Sequence, residues 1–116
     1  MNFDSPLLLV NGLVGAVFFL TGLILFKFPP KKINGLYGYR TTRSMESQKN
    51  WDFAQKFSGK LMAKYGALLV LIGAIGIFAP INETIIAVIA AISILTSCIF
   101  LFYKTEQGMK RLNNNE

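Results

Sequence analysis

Between residues 34 and 51 the chain gathers Asn34, Tyr37, Gly38, Tyr39, Arg40, Thr41, Arg43, Ser44 and Trp51. An arginine guanidinium is planar, permanently charged and forked, so it takes a phosphate or carboxylate through two parallel hydrogen bonds. Tyr37, Tyr39 and Trp51 add amphipathic rings suited to a headgroup layer. Asn34, Gly35 and Gly38 admit backbone angles that other residues resist, so KKINGLYGYRTT reads as a tight, irregular loop. The spacing predicts a binding site centred on Arg40, with Tyr39 and Trp51 converging on it. Gly35 and Gly38 would let the loop fold back. Ser44 is expected to cap the helix that follows.

Other chemistries find little support. Glu46 and Asp52 are the only acids in this connection, and six helical residues apart they lie well around the helix from each other. No nucleophile, base and orienter set is evident, so no catalytic residues are assigned and the chain is not expected to be an enzyme. It has no histidine, and its single cysteine, Cys98, lies in an apolar run. Neither a metal site, nor a cofactor, nor an intrachain disulfide is expected.

The elements that must position the loop are apolar. Of 116 residues, 53% are hydrophobic, too many for an ordinary soluble domain of this length. No charge interrupts Pro6 to Phe26, and its 21 residues at about 1.5 Å each span roughly the hydrocarbon core of a bilayer. Tyr65–Asn82 and Thr84–Tyr103 are likewise uncharged. None of the three carries the polar stripe of a soluble-bundle helix. The N-terminal run is also too long, and MNFDS too poor in Lys and Arg, for a cleaved signal peptide.

The fold class is therefore an all-α integral membrane protein, a single membrane domain over residues 1–116. Its spans are expected at about 6–28, 61–80 and 84–104, with a cytoplasmic loop and amphipathic helix at about 29–60 and a short tail at 105–116. The expected arrangement is an antiparallel three-helix bundle, because only Pro80 to Glu83 join the last two spans. Residues 45–61 place Phe53, Ala54, Phe57 and Leu61 on one side and Lys49, Asp52, Lys56 and Lys60 opposite. That pattern predicts a helix lying on the membrane surface, anchored by Trp51. Pro29 and Pro30 should end the first span.

Asn11, Gly15 and Gly22 share one face of the first span, and Gly66 and Gly73 repeat the seven-residue step in the second. Small faces let helices approach closely where lipid gives no hydrophobic drive, and Asn11 could add an interhelical hydrogen bond. Thr21, Ser93, Thr96 and Ser97 are expected to bond back to their own helix carbonyls. All twelve basic residues fall in the long connection or the C-terminal tail. The positive-inside rule then puts the N-terminus outside and the loop and C-terminus in the cytoplasm. The same asymmetry accounts for the net charge of +6, and no nucleic-acid-binding motif is present, so direct nucleic-acid binding is not expected.

INGLYGYRTTRSM followed by NWDFAQKFSG resembles the signature of the SdpI family of bacterial membrane proteins, in which a cytoplasmic G-[IY]-R-T segment precedes a Ser and then a Trp. The matching positions are Gly38, Tyr39, Arg40, Thr41, Ser44 and Trp51, with Asn34 upstream and Ala54 downstream. The resemblance implies a multi-pass protein of the bacterial cytoplasmic membrane, associated with immunity to a secreted antimicrobial peptide. In the founding type it also implies signalling through a repressor held at the membrane. Founding-type chains have six spans, of which this one resembles the second half. Many members carry Pro and His where this chain has Thr42 and Gln55.

Two readings follow. In the first, the loop is a binding module whose partner is a peptide toxin, a cytoplasmic repressor-like protein or membrane lipid. In the second, the chain is a subunit of a small transporter or channel. Three short helices enclose little lumen, so that reading requires a continuous polar path or a homo-oligomer.

Overall fold

The computed structural model describes residues 6–78 and 82–114, and its elements are α1 (Pro6–Lys27), α2 (Gln48–Phe78) and α3 (Glu83–Asn114). The expected N-terminal segment at residues 1–5 and the first half of the turn at Pro80 lie outside the described residues. All three helices are long and apolar enough to cross a membrane, the pattern of a multi-pass membrane protein.

The start of each helix and the end of α1 have local reasons. Pro6 opens α1, where its missing amide costs nothing. The last helical bond of α1 runs from the Phe28 amide to the Ile24 carbonyl at 2.7 Å, and Pro29 and Pro30 cannot continue the ladder. The cap of α2 is Ser47 rather than the expected Ser44. The Ser47 hydroxyl accepts the Asn50 amide at 3.1 Å, and its carbonyl accepts the Trp51 amide. Asn82 caps α3 in the same way, accepting the Ile85 amide at 2.9 Å.

The expected surface helix and second span form one unbroken 31-residue helix. A helix of that length measures about 46 Å against a hydrocarbon core of about 30 Å. The first turns of α2 therefore continue the span instead of lying beside it. The expected C-terminal tail is helical too, since α3 runs 32 residues to Asn114. The molecule is accordingly a rod, 52 Å long and 24 by 21 Å across.

α1 and α2 meet along the predicted glycine faces. A methyl group added at Gly15 would lie 2.6 Å from the Gly66 carbonyl, and one at Gly22 would lie 2.6 Å from the Gly59 carbonyl. One at Gly73 would lie 3.1–3.2 Å from Gly12, Asn11 and Leu7. These pairs run in opposite sequence order along the two helices, and only backbones without side chains can come so near.

α3 joins this pair mainly at its two ends. At one end Leu7, Ile86 and Ala90 form a small core with Ile72 and Ile89 packed against it. There the Asn11 amide donates to the Ser93 hydroxyl at 2.9 Å, realising the expected interhelical bond. Ser93 and Ser97 also bond back to the Ala90 and Ser93 carbonyls. At the other end Thr105 and Met109, four residues apart on one face of α3, are fully buried.

Candidate functional site

The loop from Pro29 to Ser47 has no regular secondary structure, yet its backbone is held closely by side chains of α2. Trp51, Gln48 and Gln55 share a face of that helix at steps of three and four. The Trp51 indole donates to the Pro30 carbonyl at 2.7 Å, and the Gln48 amide donates to the Lys31 carbonyl at 2.7 Å. Gln55 takes both backbone groups of Tyr39. Its carbonyl accepts the Tyr39 amide at 2.6 Å and its own amide donates to the Tyr39 carbonyl at 2.9 Å. Asn50 adds a donor to the Arg43 carbonyl.

A buried backbone segment outside helix or sheet must find such partners, and here a helix face supplies them. Trp51 and Gln55 are fully buried as a result. The expected membrane-surface anchor at Trp51 is thus a pin between the loop and α2.

Two internal devices shape the rest. The Asn34 carboxamide oxygen accepts the Leu36 and Tyr37 amides at 2.9 and 2.8 Å, closing a tight turn at the tip. The Tyr37 hydroxyl returns to the Phe28 carbonyl at 3.0 Å. Ser44, fully buried, receives the Thr41 amide at 2.8 Å, so it closes a turn within the loop. Gly38 has φ +106°, and a side chain there would strike Gln55 and Pro30. Gly35 has open space around it, so of the two expected glycines only Gly38 is required by its surroundings.

Sequence reasoning missed Glu106, which ties the loop to α3. The Tyr39 hydroxyl donates to one carboxylate oxygen at 2.8 Å and the Thr41 hydroxyl to the same oxygen at 3.0 Å. Arg43 forms an ion pair with the other at 3.4 Å, without the alignment of a hydrogen bond. Burial, then the hydrogen bond to Glu106 and its charge, push the Tyr39 phenol well above its ordinary value, so it stays a donor. The only signal in the sequence is one acid among Lys104, Lys110 and Arg111.

The expected convergence on Arg40 does not occur in this arrangement. Arg40 is exposed and donates to the Gly35 carbonyl, Tyr39 faces Glu106, and Trp51 faces Pro30. What the loop offers outward is its tip. Lys31, Lys32, Ile33 and Arg40 are exposed, and Leu36 keeps 94% of its surface accessible. Basic and apolar groups on a braced tip can engage an acidic, amphipathic partner. Among the described residues no cluster of three or more His, Cys, Asp or Glu is placed to hold a metal.

Comparison with known proteins agrees with these landmarks. The model of the SdpI/YfhL protein family matches residues 31–104, from the loop through most of α3. The uncharacterized protein YfhL of Bacillus subtilis (strain 168) is 34% identical over 108 residues, covering 92% of this chain and 93% of that one. No solved structure matches. By both the family match and the relative, the chain belongs to the SdpI/YfhL protein family.

Proposed function

We propose that this protein is a non-enzymatic binding module of the bacterial cytoplasmic membrane, serving immunity to a secreted antimicrobial peptide or signalling to a cytoplasmic repressor-like protein. Its three spans form an antiparallel bundle with the N-terminus outside and the loop and C-terminus in the cytoplasm. The placement of every Lys and Arg in segments 27–64 and 104–111 supports that orientation.

One observation carries the reading: a loop braced on two helices holds Leu36 and Arg40 out in solvent. Hydrophobic exposure on a braced, basic tip is costly to keep without a partner. Arg40 remains the centre of the reading, as a presented group with Lys31 and Lys32 beside it. Asn34, Tyr37, Gly38, Thr41 and Ser44 shape the tip. Tyr39, Arg43 and Trp51 brace it.

The test is a protection assay in cells challenged with a membrane-active bacterial peptide, at matched expression. Arg40→Lys and Leu36→Ala are each expected to lose most protection, while Lys60→Arg, on α2 away from the tip, loses little. Full protection by both tip variants would reject the proposal.

A further inference from the structure

The line of contact between α2 and α3 is open over much of its length. Gly108 brings α3 against Phe53 at the charged end, since a side chain there would lie 2.6 Å from the Phe53 ring. Beside that contact is a cleft of about 580 Å³, floored by Phe53 and Phe57, whose stacked rings are 5.0 Å apart. Its rim carries Lys104, Gln107 and Arg111, which share one face of α3 at steps of three and four. Among the described residues, no acidic side chain lines the cleft and neither Lys104 nor Arg111 is ion-paired. Glu106, the nearest acid in sequence, is occupied by Tyr39, Thr41 and Arg43.

Further along the same line lies a groove of about 340 Å³, lined by Tyr65, Leu69 and Ile72 of α2 and by Ile92 and Phe100 of α3. Lys104 joins the two. Its ammonium sits 6.0 Å from the ring centroids of both Tyr65 and Phe100, which wall the groove, and the same residue lines the cleft. Lys104 also directly follows the uncharged run Thr84–Tyr103, the depth at which lipid phosphates lie. A cationic cleft at headgroup depth, unpaired among the described residues, therefore lies next to an apolar slot at acyl-chain depth.

We propose that the α2–α3 seam is a specific site for one anionic phospholipid, its phosphate held by Lys104 and Arg111 and one acyl chain lying in the groove. Charge complementarity selects an anionic head, and the groove selects a lipid over a free phosphate ion. A helical peptide, 10–12 Å across with its side chains, suits the slot less well than a bare chain. The site is independent of the loop's partner.

The full chain in mild detergent would be mixed with phosphatidylglycerol or phosphatidylcholine, and bound lipid counted by native mass spectrometry. One phosphatidylglycerol should be retained in preference to phosphatidylcholine, and inorganic phosphate at equal concentration should not displace it. The double variant Lys104→Gln/Arg111→Gln should retain it about 30-fold more weakly, the factor two basic side chains contribute at a membrane surface. Lys31→Gln/Lys32→Gln on the loop should leave retention unchanged. Ile92→Trp, which fills the groove and leaves both cations, should also weaken it, so the test survives if the double variant misfolds. Equal retention of the two lipids, displacement by phosphate, or a co-purifying peptide in place of the lipid would overturn the proposal.

Discussion

Glu106 accepts from Tyr39 and Thr41 and faces Arg43, so one carboxylate organises three residues that the sequence places in a binding motif. Its role was not legible, because the tail reads equally well as inside-facing charge and the partner lies 67 positions away. The Tyr39 phenol, raised above its ordinary 10.0, gives a measurable consequence. In the unfolded chain it loses its proton near pH 10, whereas the folded protein must keep it. Its contribution is complete below that point and falls as pH rises beyond it. Tyr39→Phe should cost about 1 kcal/mol at neutral pH and flatten this part of the alkaline loss, measured by thermal unfolding from pH 7 to 11. Gly38, at φ +106°, offers a second check. Gly38→Ala should destabilise by about 1–3 kcal/mol and expose the loop to proteolysis, while Gly35→Ala should resemble wild type.

At the scale of elements, the glycine faces were legible because helical period alone aligns Gly15 with Gly22 and Gly66 with Gly73. The partners could then be checked atom by atom. Gly66→Ala should lower stability in detergent by about 1–3 kcal/mol, since its new methyl meets the Gly15 carbonyl at 2.6 Å. Gly12→Ala, whose nearest neighbour would be 4.0 Å away, should be neutral by the same melting measurement. The continuity of α2 was harder to read. The alternation of Phe53, Ala54 and Phe57 with Lys49, Lys56 and Lys60 fits a helix on a membrane surface, and it fits equally a helix packed under a loop. Tertiary contacts decided it: Trp51, Ala54, Gln55 and Ser58 are buried by the loop and its neighbours. The absence of proline between Gln48 and Phe78 was the available clue.

For the whole molecule, the three spans were legible from uncharged length, while the way the third one docks was not. α1 and α2 form a close-packed pair, and α3 is fastened by the Asn11–Ser93 bond at one end and by Glu106 and Gly108 at the other. Each fastening depends on a contact between residues remote in sequence, which no local pattern announces. The proposed orientation is testable on a Cys98→Ala background. Cysteines placed at Asn82 should react with an impermeant reagent on intact cells, and cysteines at Lys49 or Arg111 only after lysis. Labelling of position 82 only after lysis would reverse the assignment.

The unbroken α2 has a further consequence, because its first two turns hold the loop and its later turns hold α1. The helix is therefore a ruler and a protractor at once. It sets the tip's distance from the bilayer and its compass bearing around the bundle. Deleting one residue between Gln55 and Gly59 would shorten the distance by only about 1.5 Å but swing the tip by about 100°. That swing would carry Tyr39 away from Glu106. Adding seven residues would nearly restore the bearing and move the tip about 10 Å along the axis, still losing Glu106 unless α3 were lengthened to match. Whatever meets Leu36 and Arg40 must meet them at one height and from one side.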